Sequence, residues 1–241
     1  MRIDASGMHF KDLNDQIRNC ADASIQVENC VGQRYLAAAM GENKALEIHG
    51  TPGNALGAYL DGGCVTVYGN CQEATGNTMN AGTITVHGSC GDATGYAMRG
   101  GRIFVQGDAG YRAGIHMKAY EQKVPTLVIG GRAGSFLGEY QAGGVIVVLG
   151  LGTQDPVPVG PFCGTGMHGG RIYIRCKTPP EGLPAQVVAH TARQEDKEQL
   201  RPLLEAYCAA FDLDAEALMR DDYCLLTPNT QNPYRQLYTP N

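Results

Sequence analysis

Residues 45–170 repeat one nineteen-residue unit, and any fold of this chain has to give each copy the same conformation. Set ALEIHGTPGNALGAYLDGG (45–63) above CVTVYGNCQEATGNTMNAG (64–82) and TITVHGSCGDATGYAMRGG (83–101), and the glycines fall into columns without a gap. The unit at 102–125 is longer by five residues, 126–144 returns to nineteen, and 145–170 carries seven extra. Residues 171–177 open a seventh strand and stop.

Each unit begins with alternating apolar residues: Leu46 and Ile48, Val65 and Val67, Ile84 and Val86, Ile103 and Val105, Leu127 and Ile129, Ile146 and Val148, Ile172 and Ile174. That is the period of a half-buried strand. Glycines at constant offsets follow, too many for a helix to tolerate. One short strand per unit, with glycine corners and no room for a crossover helix, predicts an all-β fold: a parallel β-helix of about seven turns, rising about 4.8 Å per turn. Leu60, Met79, Met98, Met117 and Met167 then form an internal ladder, interrupted once by Gln141, and core packing accounts for it better than metal or redox chemistry.

The outward strand positions change character along the coil. They are polar early, at Glu47, Thr66 and Thr85, with His49 and His87 two residues on. Later they are Phe104, Val128, Val147, Leu149 and Tyr173, an apolar stripe that needs a cover from the C-terminus or from another chain. These five are the candidate partner-docking residues, and at least Phe104, Val128 and Val147 are expected to be shielded.

Residues 1–23 read as an N-terminal cap, with a short helix at Phe10, Leu13 and Ile17 and Asp12 as its start. The coil spans 24–177, its first turn departing from the pattern after Gly32. In the third segment, 178–241, a Pro/Gly linker precedes a helix at about 192–211, marked by Leu200, Leu203, Leu204, Tyr207, Cys208 and Phe211. A second helix starts after Asp212 or Asp214 and runs through Leu218 and Met219, and the proline-bearing tail is expected to be extended on a surface.

The net charge of -5 and the absence of a basic stripe argue against nucleic acid. No run reaches the roughly 20 apolar residues of a membrane span, and the N-terminus lacks a signal peptide's apolar core, so a cytoplasmic chain is expected. Its nine cysteines form no CxxC pair; Cys71 and Cys90 share a column and read as stacked free thiols. GTGMHG (164–169) fits the dinucleotide fingerprint in letters only, because a strand follows where a helix is required. His49 and His87, with Tyr68 between them, sit too far apart to share a metal. The Asn54, Glu73 and Asp92 column reads as a solvated corner; a carbohydrate site, as on secreted β-helix lyases, is the rival reading. The shortage of aromatics, at 7% with no Trp, counts against it.

Units such as GSCGDATGYAMRGG (88–101) resemble the GXGXG-type β-helix domain that closes the glutamate synthase large subunit, and the related β-helix domain of formylmethanofuran dehydrogenase. The resemblance covers about 24–177, and HTARQEDKEQLRPLLEAYCAAF (190–211) extends it towards glutamate synthase. It implies a right-handed β-helix with a non-catalytic, structural role, as the subunit of a glutamate synthase-type oxidoreductase that docks a glutamine amidotransferase subunit and an FMN-barrel synthase subunit. FMN and an iron–sulfur cluster are expected on those partners and no cofactor on this chain. The alternative is the equivalent β-helix component of a formylmethanofuran dehydrogenase-type complex. Arg2 follows Met1 where the amidotransferase has its cysteine, so no catalytic residue is carried over.

Overall fold

The computed structural model describes residues 1–229, and the last part of the expected extended tail, 230–241, lies outside them. Among the described residues, nine strands stack in parallel: β1 (Arg2–Asp4), β2 (Ser24–Val31), β3 (Ala45–Thr51), β4 (Asp61–Tyr68), β5 (Ala81–Val86), β6 (Arg102–Val105), β7 (Thr126–Ile129), β8 (Ala142–Val148) and β9 (Gly169–Arg175). From β3 to β9 they form the β-solenoid of about seven turns that the repeat predicts. Leu46, Val65, Ile84, Ile103, Leu127, Ile146 and Ile172 pair one above another, so the repeat sets the strand register directly.

The interior ladder forms as read. Leu60, Met79, Met98, Met117 and Met167 are 2% exposed or less, and Gln141 is fully enclosed among them. Its amide nitrogen donates to the Gly143 and Gly144 carbonyls at 3.1 and 3.2 Å, while Oε1 has no partner among the described residues.

Opposite the strands, every turn carries an arm in which alternate residues are left-handed: Ala74, Gly76 and Thr78, for example, have φ of 58, 70 and 53°. The outer two donate to the next turn (Ala74 N–H to Asp92 O, Thr78 N–H to Tyr96 O) and the central one donates back (Gly76 N–H to Leu56 O), all at 2.8 Å. In the repeat units the central residue is glycine for a second reason. A Cβ at Gly76 would lie 2.3 Å from Ile103 Cδ1, because the inner isoleucine at the start of the unit two further on fills that space. The first turn keeps this arm without glycine, through Tyr35, Ala37 and Ala39 at φ 63, 58 and 54°. Its departure is therefore in sequence only, and each such residue carries about 1–2 kcal/mol of left-handed strain.

Both ends are closed by pieces the repeat does not contain. Helix α1 (Phe10–Asn19) turns Leu13 and Ile17 into the open end of the coil. Its cap is His9, whose Nδ1 accepts from Lys11 N–H, and Asp12 lies within the first turn instead. Strand β1, not anticipated from sequence, extends the sheet by pairing with β2. At the other end come β10 (Val187–Thr191), α2 (Gln194–Phe211), α3 (Ala215–Met219) and β11 (Tyr223–Pro228). The α3 cap is Asp214, which accepts from Ala217 N–H at 3.1 Å. Strand β11 inserts antiparallel between β9 and β10, with Tyr223, Cys224, Leu225 and Leu226 buried. The start of the tail is thus extended, but it is enclosed and not laid on a surface. No helix among the described residues is long and apolar enough to cross a membrane.

Candidate functional site

The five stripe residues do point away from the lumen. Phe104, Val128, Val147, Leu149 and Tyr173 are 4% exposed or less and form an apolar cluster separate from the interior one. Leu200, Leu204, Tyr207 and Phe211 of α2 supply the cover, with Leu218 and Met219 of α3 and Tyr223 and Leu225 of β11. Covering each stripe residue is worth about 1.5–3 kcal/mol. Polar contacts fix the seat: Tyr207 OH donates to Val105 O at 3.3 Å and Tyr173 OH to Asp196 O at 3.2 Å. Position 130 is glycine because a Cβ there would lie 2.1 Å from the Tyr207 hydroxyl oxygen. At the edge, Arg175 pairs with Asp221 at 2.6 Å and Lys197 donates to the Asp221 carbonyl at 2.7 Å. Burial raises the Tyr173 and Tyr207 hydroxyls above their ordinary pKa, so both remain donors at neutral pH. A partner approaching this side meets the outer surface of α2, since the five side chains are already enclosed.

The cover stops at turn three. Tyr68 stacks between His49 and His87, at 4.9 and 4.7 Å, and His87 meets the edge of Phe211 at 5.1 Å. His49 also contacts Glu47 Oε1 at 2.6 Å. Aromatic stacking thus leads from the open strand face to the end of α2. No group of three or more His, Cys, Asp or Glu among the described residues is placed to hold a metal ion.

The corner carboxylates serve the stacking of turns. Asn54 Nδ2 donates to Glu73 Oε2 at 3.1 Å, and Asp92 Oδ1 accepts from Tyr111 N–H at 2.8 Å, one turn on. A second column repeats the device: Asn70 Oδ1 accepts from Ser89 N–H, Ser89 Oγ from Asp108 N–H, and Asp108 Oδ1 from Arg132 N–H. At the literal dinucleotide fingerprint, Gly164 and Gly166 are arm residues and β9 follows. All nine cysteines are free. Contact with the Cys90 thiol, together with burial, raises Cys71 well above its ordinary value, and burial pushes Cys163 and Cys176 to about 12. Such thiols are protonated at neutral pH and poor nucleophiles.

The glycine arm carries no cover among the described residues. It exposes Tyr59, Tyr96, Tyr111, Tyr140 and Phe162, half or so of each side chain being open. Neighbouring rings stack along it, His116 on Tyr140 at 5.2 Å and Phe136 on Phe162 at 4.9 Å, with the Arg112 guanidinium 4.9 Å from the Phe136 centroid. Sequence reasoning singled out the stripe and passed over this face. The signal was available in the columns, since 112, 136 and 162 share one and 116 and 140 another.

A β-solenoid with left-handed glycine arms and a helix-covered strand face defines the structural class. The GXGXG motif profile matches residues 8–229, and the chain belongs to that family. It is 43% identical to the uncharacterized protein MJ1350 of Methanocaldococcus jannaschii, over 99% of this chain and 96% of that one. Its fold is similar to a chain in the crystal structure of the formyltransferase/hydrolase complex (FhcABCD) from Methylorubrum extorquens in complex with methylofuran. The TM-score is 0.66 at 20% identity, covering 87% of this chain and 80% of that one.

Proposed function

We propose that this chain is a non-catalytic subunit that holds the catalytic polypeptides of a multi-subunit enzyme in place. The observation that carries the reading is the division of labour on the coil. Its carboxylate columns are committed to bonds between turns, and most of its thiols are buried, while an aromatic face stays open on a rigid ladder. Exposed tyrosines on a preorganised surface suit protein recognition, because they give large contact area at low entropic cost.

Similarity to a chain of the formyltransferase/hydrolase complex supports the role of β-helix component in a formylmethanofuran dehydrogenase-type assembly, and the comparisons favour this reading. A second reading rests on residues 190–211, which resemble the end of the glutamate synthase chain. There the partners are a glutamine amidotransferase and an FMN-barrel synthase, which carry the flavin and iron–sulfur cluster. Tagging the chromosomal copy and purifying the intact complex separates the two. Formyl transfer without flavin supports the first; glutamine hydrolysis with bound flavin supports the second. A chain recovered alone and active on its own would overturn both.

A further inference from the structure

We infer that the corner joining the glycine arm to the strands in the middle turns docks a carboxylate-rich segment of a partner polypeptide. The inference rests on the architectural reading above and names the chemistry of one contact.

Arg99 and Lys118 occupy one column: Arg99 N–H donates to Met79 O at 2.8 Å and Lys118 N–H to Met98 O at 2.9 Å, one turn apart. The same column holds Asp61 and Asn80 in the two preceding turns, so its charge reverses along the coil. Arg102 opens β6 three residues after Arg99. The five-residue insertion brings a fourth cation. A backbone bridge between Tyr120 and Lys123 folds it back, placing Lys123 Cβ 3.2 Å from where a Cβ on Gly100 would stand and its amine 3.8 Å from Asp61.

Arg99, Arg102 and Lys118 are exposed and make no side-chain hydrogen bond or ion pair among the described residues. The chain as a whole carries 24 acidic against 19 basic residues, so four cations on one corner run against its overall sign. Stacked like charges repel across adjacent strands, and an arriving anion relieves this. Beside them is a groove of about 390 Å³ lined by Asn80, Gly82, Thr83, Arg102, Lys123 and Val124. Tyr120 and Val124, on the insertion that carries Lys123, are exposed beside it. Arginine with tyrosine on a rigid frame is the composition of interface hot spots. The short patch favours a polypeptide over a nucleic acid, which needs a longer cationic track.

The test uses the tagged full-length chain purified with its partner from the native source. Carbodiimide coupling, which joins amines to carboxylates without a spacer, is expected to link Lys118 and Lys123 to Asp or Glu residues within one segment of the partner. The triple variant Arg99→Glu, Arg102→Glu, Lys118→Glu is expected to bind that partner at least tenfold more weakly, with its salt dependence reduced and its melting temperature unchanged. Unchanged affinity of the triple variant overturns the inference while leaving the architectural reading intact. So do links only to a second copy of this chain, or preferential binding of a single-stranded oligonucleotide probe. Recovery of no partner polypeptide defeats the architectural reading and the inference with it.

Discussion

Val128→Asp separates the two apolar clusters. Val128 is fully buried on the outer face of β7, paired with Phe104 on β6 and Val147 on β8 beneath the α2 layer. The substitution forfeits about 1.5–3 kcal/mol of burial. It also encloses a carboxylate with no partner, since Arg175 and Lys197 at the edge of the layer are engaged by Asp221 and neighbouring carbonyls, at about 3–5 kcal/mol more. The total, about 4.5–8 kcal/mol, removes roughly half of the about 7.5–15 kcal/mol that the five stripe residues gain from their cover. The entropy of ordering the helices offsets much of the rest, so α2 and α3 should lift off at neutral pH. The lumen does not contain Val128, and the β3–β9 ladder should persist. Hydrogen exchange read by mass spectrometry is expected to show lost protection across 194–219 and retained protection in β3, β4 and β5. Because burial raises the pKa of the new carboxyl, protection of α2 should recover as pH falls below about 5. Thr85→Asp, on the uncovered part of the same face, should change little. Loss of protection throughout the coil would refute the independence of the two clusters; full protection of α2 at neutral pH would refute the stripe as its seat.

Gly76→Ala adds a methyl within 2.3 Å of Ile103 Cδ1 at a left-handed position and should cost about 2–5 kcal/mol by denaturant melt, whereas Ala74→Gly should be near neutral. Tyr207→Phe removes the hydroxyl bond to Val105 O and should lower stability by about 0.5–1.5 kcal/mol in the same assay. In thiol labelling at pH 8.5 the exposed Cys64 should react first, and Cys163 and Cys176, held protonated to about pH 12, only on unfolding. Asp4 is lowered from 3.8 to about 2 by hydrogen bonds from Asn29 and Ser6, so what it contributes is present above pH 3.8 and lost as pH falls towards 2. Amide exchange of Ser6 should accelerate in that window.

Sequence was most informative where it repeats. Columns of Ile, Met and Gly locate β3 to β9 and the lumen, and the change from Thr66 and Thr85 to Phe104 and Val128 marks where a cover begins. Helix α2 was visible through its apolar period and α3 through Asp214. Strand β11 was missed because Tyr223 to Leu226 are buried on both faces and show no alternation. Strands β1 and β10 are short and belong to no repeat. The first arm was hidden because Tyr35, Ala37 and Ala39 take a glycine conformation without glycine. In the basic corner, Arg99 and Lys118 stand nineteen residues apart and share a readable column, but Lys123 joins them only through the folding of an inserted loop.

The most direct test of the architectural role is native mass spectrometry of the tagged chain purified gently from its source, followed by activity assays of each separated polypeptide. The account predicts a defined assembly in which this 25.7 kDa chain is bound to at least one catalytic polypeptide, with the activity residing in that partner. A free chain that turns over substrate alone would contradict it.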